Sequence, residues 1–360
     1  MNPKIIAYYL PQYHPFKEND LWWGKGFTEW TNVGKAKPLF RGHYQPKVPG
    51  ELGYYDLRLP VIAEEQARLA REAGIYGFCY WHYWFGNGKE LMEMPFYRMV
   101  RTGRPDFPFC LGWANESWMS KQWSKNGVQG KILIEQKYTG ASDHENHFYK
   151  ILPAFKDKRY IRIDGKPFFL IYRPFDFKGL DLFMCQWNDL SRKEKLSDGF
   201  YFVAHARNEK EAWLLRNMGF DAINIGPTTR IMQLYKGYNW IRIKNKIRRI
   251  VTGCPNLIDY GYVINHLWNN DLEGKDDVIP TLIPNWDHSP RGGSSSLVFD
   301  NCTLDKWKFH VVDVISKTLK KNNKIIMLKS WNEWGEGNYL EPDLKFGRKY
   351  IDVLSEVVNK

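Results

Sequence analysis

Two carboxylates lie three residues apart near the end of the chain, in surroundings that suit acid–base chemistry. Glu333 and Glu336 occur in the stretch Trp331-Asn-Glu-Trp-Gly-Glu336, which follows the apolar run Ile325–Leu328. That run has the length and composition of a buried strand. A carboxylate held against apolar surface has a raised pKa, whereas a neighbour that stays ionised can act as base or nucleophile. Paired carboxylates of this kind cleave or form glycosidic bonds, so Glu333 and Glu336 are the candidate catalytic residues.

The flanking residues decide between this interpretation and a simpler one. A Glu-x-x-Glu pair is common on helices, where both side chains point into solvent. Here Trp331, Asn332 and Trp334 surround the pair, and we expect the two indoles to exclude water and to raise the pKa of Glu336. A second pairing stays open, because Glu116 in Trp113-Ala-Asn-Glu116 also follows a strand-like run and could work with Glu333 as acid and base.

The apolar runs of the chain predict the scaffold that positions these residues. Strand-like runs occur at 4–10, 76–80, 107–111, 168–172, 201–204, 222–225, 280–283 and 325–328. Each precedes a segment with helical spacing, and such alternation implies parallel strands with crossover helices. Eight units predict an α/β fold, a single (β/α)8 TIM barrel that forms one catalytic domain over residues 1–360. A doubly wound open sheet is the alternative, but no Gly-x-Gly-x-x-Gly follows the first strand.

Polar and aromatic residues cluster after the predicted strands. In a barrel these positions share the C-terminal face, where active sites lie. The candidate substrate-binding residues there are Tyr9, Gln12, His14, His82, Trp84, Trp113, Asn115, Glu116, Arg173, Asn285, Asp287, Arg291, Trp331, Asn332 and Trp334. Arg291 could hold an anionic group through two hydrogen bonds, or pair with Asp287. No His-x-x-x-His or acidic triad indicates a metal, and no motif indicates a cofactor.

A long aromatic connection follows the first predicted strand and runs to about Tyr55. It contains Trp22, Trp23 and Trp30, which we also count as candidate substrate-binding residues. Loops of this length are usually functional or disordered, and one this aromatic is unlike disordered sequence. The connection therefore predicts a wall or lid of the site, with a satellite hydrophobic cluster as the alternative. The chain's 16 Trp, 21 Tyr and 21 Phe suit stacking on the flat faces of sugar rings.

The charge distribution suggests an anionic partner. The chain has a net charge of +12, and Arg230–Arg249 carries several basic residues, no acidic residue and interleaved apolar residues. This segment belongs to a basic insertion, residues 228–276, after the sixth strand. It predicts peripheral contact with an anionic membrane, with a solvated outer face as the alternative. Nucleic acid is the least favoured partner, because no recognisable nucleic-acid module accompanies the charge.

The cysteines and the apolar runs indicate a compartment. The five cysteines are widely spaced without a Cys-x-x-Cys, which gives no support for zinc or redox chemistry. The sequence shows no signal peptide and no apolar run long enough to span a bilayer. These features predict a cytoplasmic, membrane-peripheral protein.

Several motifs resemble the WbsX family. They are Tyr9-Leu-Pro-Gln-Tyr-His-Pro15, the Trp22-Trp-Gly-Lys-Gly-Phe-Thr-Glu-Trp30 string, Tyr76–Phe85, Trp113–Glu116 and Trp331–Glu341. WbsX proteins are labelled as glycosyltransferases of bacterial surface-polysaccharide (O-antigen) biosynthesis, and they are similar to glycoside hydrolase family 99, the endo-α-mannosidases, which have a (β/α)8 fold. The resemblance implies an enzyme that cleaves or transfers glycosyl units of a surface polysaccharide or its lipid-linked precursor.

The resemblance also implies roles for the two glutamates. Glu333 would act as base on the sugar 2-hydroxyl to form an anhydro-sugar, and Glu336 would act as acid and then base, with retention of configuration. Residue 335 is Gly, where the hydrolases carry a larger residue, so hydrolysis and transfer both stay open. A non-catalytic glycan-binding barrel is the alternative function.

Overall fold

Eight parallel strands form the centre of the computed structural model, which describes residues 2–120, 130–236 and 239–359. The strands are β1 Lys4–Tyr9, β2 Gly77–Trp84, β3 Phe109–Trp113, β4 Lys166–Ile171, β5 Tyr201–Ala206, β6 Ala222–Ile225, β7 with two halves Val278–Ile279 and Thr281–Leu282, and β8 Ile325–Leu328. Neighbours pair in parallel from β1 to β6, and β8 pairs with β1. The first half of β7 pairs with β6 and the second half with β8, which closes the ring. The predicted (β/α)8 barrel is confirmed.

Pro280 divides β7 into its two halves. Proline has no backbone N–H and cannot donate to a strand ladder. Its carbonyl still accepts a hydrogen bond from Met327 of β8 at 3.0 Å. The ring of strands therefore stays bonded on both sides of the proline.

Helices surround and extend the barrel. They are α1 Lys17–Trp23, α2 Glu29–Gly34, α3 Pro60–Glu72, α4 Met94–Thr102, α5 Ala141–Phe155, α6 Leu180–Lys193, α7 Glu209–Leu215, α8 Pro227–Lys236, α9 Asn239–Thr252, α10 Tyr260–His266, α11 Ser289–Gly292, α12 Leu304–Thr318 and α13 Lys349–Val358. Short strand pairs lie in the connections: Glu90–Leu91 with β2, Trp118–Met119 with Ile132–Ile134, Arg162–Ile163 with β4, Asn256–Asp259 with Leu297–Asp300, and Asn332–Glu333 with Asn338–Tyr339.

Alternation along the strands decides which side chains reach the barrel mouth. Successive side chains of a strand point to opposite faces, here the barrel interior and the helical layer. Tyr8 of β1 stacks on Trp81 of β2 with ring centres 4.8 Å apart and planes 1° from parallel. Tyr9 instead donates to Gln66 of α3 at 2.7 Å, and His82 lies 2.7 Å from His147 of α5. Tyr9 and His82 therefore face the helices and not the mouth.

The segment 228–276 adds a second small core to the β6–β7 side. Ile231 of α8, Ile258 of the short strand Asn256–Asp259 and Val263 of α10 pack together with Ile283, which follows β7. Asn256–Asp259 pairs in parallel with Leu297–Asp300 of the β7–β8 connection. The insertion is therefore attached to the barrel through both side chains and backbone.

The chain after β8 is fastened to the chain after β1. The Asn332 amide accepts a hydrogen bond from the Leu10 N–H at 2.7 Å and donates to the Leu10 carbonyl at 3.0 Å. Nearby, the buried Glu341 carboxylate accepts hydrogen bonds from Gln66 at 2.7 Å and from the Trp334 indole at 2.6 Å. Asn332, predicted to bind substrate, is instead a buried structural link.

Replacing Asn332 should destabilise the fold. Asn332→Ala leaves the buried N–H and carbonyl of Leu10 without their partner, at a cost of about 1–3 kcal/mol for each group. Urea denaturation should therefore show a loss of about 2–6 kcal/mol in the free energy of unfolding. Leu21→Ala, at a side chain that is 74% exposed, is the control and should change stability by less than about 0.5 kcal/mol. A loss in Asn332→Ala no larger than that of the control would contradict the structural role.

Candidate active site

A cleft of about 1100 Å³ opens at the C-terminal ends of the strands. Its aromatic lining comes from Tyr8, Trp81, Tyr83, Trp118 and Tyr172, and its polar lining includes Gln12, Asn32, Glu116, Arg173, His205, Asn224, His288, Arg291, Lys329, Glu333 and Glu336. The long connection after β1 forms one wall through residues 32–39. Rings beside polar groups in a cleft of this size suit a sugar, which has both flat apolar faces and hydroxyl edges.

The backbone after β8 brings the two glutamates to the same side. Glu333 ends the short strand Asn332–Glu333, and Trp334–Glu336 forms one turn of 3-10 helix. A 3-10 helix has three residues per turn, so side chains at i and i+3 eclipse. Gly337 then reverses the chain with φ +53°, a conformation that favours glycine. The spacing of Glu333 and Glu336 in the sequence thus becomes proximity in the cleft.

The Arg291 guanidinium connects three carboxylates. It donates to Glu333 at 3.0 Å and to Glu29 at 2.8 Å. Its Nη1 lies 2.9 Å from a carboxylate oxygen of the third residue, Glu336. Glu333 is 7% exposed and Glu29 is 1% exposed, so these ion pairs are largely shielded from water. The ion-pair partners of Arg291 are thus Glu29, Glu333 and Glu336, and the binding of a ligand's anionic group by Arg291 stays a prediction.

Gly335 is required by this ion cluster. A Cβ at position 335 would lie 2.0 Å from the Glu29 carboxylate and 2.9 Å from Nε of Arg291, closer than atoms in contact can approach. The glycine therefore makes room for the Glu29–Arg291 pair.

The electrostatics of the two glutamates differ. Burial raises the pKa of Glu333 to about 8, although Arg291 opposes the shift. Burial also acts on Glu336, but the charges of Arg291 and Lys329 hold the pKa of its carboxyl below the usual value. The expectation of a raised Glu336 pKa is therefore corrected. The physical reason is that Trp334 directs its indole N–H to Glu341, so cations rather than indoles surround Glu336.

Other predicted residues support the cleft without lining it. Asp287 donates its backbone N–H to the Glu336 carbonyl at 2.7 Å, and its side chain accepts from Gln45 at 2.6 Å. The Asn115 amide accepts a hydrogen bond from the Arg173 N–H at 2.7 Å. These residues hold the loops that present Glu336 and Arg173.

Six predicted residues line the cleft and the rest do not. The six are Gln12, Glu116, Arg173, Arg291, Glu333 and Glu336. Those outside the lining are Tyr9, His14, Trp22, Trp23, Trp30, His82, Trp84, Trp113, Asn115, Asn285, Asp287, Trp331, Asn332 and Trp334. For most of these residues the prediction of a place in the cleft lining is wrong, because their side chains pack in the core or point to the helical layer. Trp113, Trp331 and Trp334, for example, are at most 2% exposed.

Sequence reasoning missed residues on the inward strand faces. Trp81 and Tyr83 line the cleft, and each directly precedes a predicted residue, His82 or Trp84, that lies on the opposite face of β2. Glu29 lies inside the Trp22–Trp30 string, where a lone acid among aromatic residues was the available signal. Lys329 follows β8 directly and could have been found from its position at the strand end.

Residues 5–354 match the family described as Glycosyltransferase WbsX. Two curated relatives from Xanthomonas campestris pv. campestris, each named uncharacterized protein WxcX, are 30% identical over 366 residues. The alignment covers 99% of this chain and 50% of each relative, so the chain spans about half the length of the curated relatives it matches.

Similar solved structures that cover 99% of this chain include an endo-alpha-mannosidase and a glycoside hydrolase-like protein. The GH99 endo-alpha-mannosidase from Bacteroides thetaiotaomicron, in complex with bis-tris-propane, aligns with a TM-score of 0.56 at 14% identity over 96% of that chain. A glycoside hydrolase-like protein aligns with a TM-score of 0.58 at 14% identity over 94% of that chain. At this identity the likeness shows a shared fold. The family match over nearly the whole sequence shows that the chain belongs to the WbsX glycosyltransferase family.

Proposed function

We propose that this protein is a carbohydrate-active enzyme in which Glu333 and Glu336 make or break a glycosidic bond. The observation that carries the proposal is the position of the pair, buried together on one guanidinium in the large cleft at the barrel mouth. The family is one of glycosyltransferases, and the substrate we propose is a glycan of a bacterial surface polysaccharide or its lipid-linked precursor. The stacked rings of Tyr8 and Trp81 offer it an apolar surface.

The charge states of the two carboxyls favour distinct roles. With a pKa of about 8, Glu333 holds a proton at neutral pH and can give it to the leaving oxygen. Glu336 is ionised and can take a proton from the sugar 2-hydroxyl or attack the anomeric carbon. This assignment reverses the roles that the family resemblance implied. A shared guanidinium keeps the carboxyls close, which favours retention over inversion, since inversion needs room for a water molecule.

Loss of either carboxyl should stop turnover without unfolding the protein. Glu333→Gln and Glu336→Gln keep the side-chain shape but remove the titrating group, so we expect turnover to fall about 10²–10⁴-fold. The measurement is sugar release or transfer from surface polysaccharide or lipid-linked oligosaccharide isolated from the producing cells. Glu116→Gln is the matched control in the same cleft and should keep most activity.

The outcomes separate the alternatives. Loss of turnover in both Glu116→Gln and Glu333→Gln, with activity kept in Glu336→Gln, would favour the Glu116–Glu333 pair. Glycan binding by the wild-type protein without any turnover would favour a glycan-binding barrel. An activated leaving group, such as nitrophenol, needs no proton donor, so it should restore the first step in Glu333→Gln and not in Glu336→Gln. Restoration in the opposite variant would give the roles implied by the resemblance.

The raised pKa of Glu333 should appear in the pH dependence of stability. The folded chain binds this proton more tightly than the unfolded chain, so the contribution of Glu333 to stability falls as pH rises from about 4.5 to about 8. Glu333→Gln cannot ionise and should lose less stability over that interval, measured as the free energy of unfolding at pH 5 and pH 8.5. Glu356→Gln, on the outer helix α13, is the control and should follow the wild type. Equal losses in wild type and Glu333→Gln would refute the shift.

We further propose that α9 lies on an anionic membrane surface. The exposed apolar residues of α9 are Ile243, Ile247, Ile250 and Val251, at 60%, 57%, 72% and 74% exposure. They form a stripe with helical spacing, and Lys246, Arg248 and Arg249 lie beside them without any acidic residue in α9. Such a helix buries its apolar stripe among lipids while its cations meet anionic headgroups.

The structure narrows the segment predicted from the sequence. Arg230 is 4% exposed and forms ion pairs with Glu273 at 2.5 Å and Glu209 at 2.7 Å, and Ile231 is fully buried. Arg230 and Ile231 face inward, so the proposed membrane contact does not include them. Residues 237–238 of the predicted segment lie outside the described residues. In the described part of the chain, no helix combines the length and hydrophobicity needed to cross a bilayer.

Replacing the stripe should release the protein from vesicles. We expect the wild type to sediment with vesicles of phosphatidylcholine and phosphatidylglycerol, and less so at high salt, because salt screens electrostatic attraction. The triple variant Ile243→Ser, Ile247→Ser and Ile250→Ser should lose most of this binding. The matched control replaces three comparably exposed apolar residues elsewhere, Leu21, Val61 and Leu344, with Ser and should bind normally. No binding to anionic vesicles, or equal binding of both variants, would refute the membrane contact.

A further inference from the structure

The cleft contains a lysine, Lys329, that forms no direct ion pair with a carboxylate in the described part of the chain. Lys329 follows β8 directly, lines the cleft and is half-buried. Within the described ranges, no carboxylate oxygen lies within 4.0 Å of its Nζ. Its ammonium lies 5.0 Å from the ring centre of Trp286, a cation–π contact that holds the side chain without cancelling its charge.

The two arginines of the cleft are already occupied. Arg173 pairs with Glu116 at 2.9 Å, and Arg291 carries the three carboxylates of its cluster. A ligand would have to displace a carboxylate to reach either guanidinium. Lys329 needs no such displacement, and exposed Lys35 and Lys37 at the cleft wall add positive charge at the entrance.

Uncharged donors surround the same part of the cleft. His205 is 7% exposed, lines the cleft and has no hydrogen-bond partner at Nδ1. Burial lowers the pKa of His205, and it also lowers the pKa of His288, which lines the same cleft. Both rings are therefore neutral near pH 7, and a neutral imidazole still has one N–H to donate. A lysine ammonium beside neutral N–H donors is a suitable environment for an anionic oxygen.

Lys329 also lies near the reacting groups. It is among the cations that lower the pKa of both Glu333 and Glu336, so it is within electrostatic range of the pair. An anionic group bound at Lys329 would therefore belong to the sugar being processed or to the group attached to it.

We propose that Lys329 binds an anionic group of the substrate, a sugar carboxylate or a phosphate ester, so that the cleft selects an acidic glycan over a neutral one. This proposal rests on the proposed function, because it names the class of substrate for the same cleft. The net charge of +12 would raise the local concentration of such a glycan.

The test is calorimetric titration at low salt with D-glucuronate, D-glucose 6-phosphate and neutral D-glucose. We expect at least one anionic sugar to bind the wild type about tenfold more tightly than glucose, and Lys329→Met to lose that preference. Lys329→Arg should keep it, because the charge remains. Lys345→Met is the matched control, since Lys345 also lies over an aromatic ring, 4.7 Å from the centre of Tyr44, but does not line the cleft.

Each outcome has a defined meaning. A preference for glucuronate identifies a carboxylate as the anion, and a preference for glucose 6-phosphate identifies a phosphate. Equal binding of the charged and neutral sugars, no binding of either anionic sugar, or a preference kept in Lys329→Met would overturn the proposal. Turnover by the Glu333 and Glu336 variants is measured separately. A cleft that prefers anions while those variants stay active would therefore reject only the proposed catalytic function.

Discussion

The Arg291 guanidinium is the interaction on which the rest of the site depends. Three carboxylates approach one cation where little water can reach them. Ions removed from water are stable only when they are paired and hydrogen-bonded, so two further negative charges would be costly. A proton on Glu333 relieves part of that imbalance. Burial raises the pKa of Glu333 to about 8, and the charges of Glu336 and Glu29 act in the same direction. A pair of similar glutamates thereby becomes one proton donor and one anion.

The same cation joins three distant parts of the chain. Glu29 comes from the long connection after β1, Arg291 from α11 after β7, and Glu333 with Glu336 from the turn after β8. Asn332 and Glu341 fix the last of these turns to the barrel with buried hydrogen bonds. The loops around the cleft are thus coupled to the barrel at the point where the glutamates emerge. This rigidity suits a reaction that needs two carboxyls at a fixed separation.

The fold and the placement of Glu333 and Glu336 in one cleft were predictable from the sequence, whereas much of the lining was not. Eight apolar runs and their helical partners specify a barrel because each element shows its own periodicity. The face of a strand is a different matter. In Phe78-Cys-Tyr-Trp-His-Tyr-Trp84 both faces of the strand carry rings, so no contrast in polarity tells which face is inward. The sequence therefore predicts Trp84 in the cleft, whereas Trp81 and Tyr83 line it. The link between Glu29 and Arg291 spans 262 residues, and no local pattern reveals it.

Gly335 makes the history of the site depend on the order of substitutions. Any side chain at that position would occupy the space taken by the Glu29 carboxylate, so a larger residue becomes tolerable only after Glu29 has been lost or moved. Conversely, a lineage that fills position 335 first closes the space that a glutamate at 29 would need. A single replacement of Gly335 in this chain would therefore have to move the Glu29 carboxylate away from its position on Arg291.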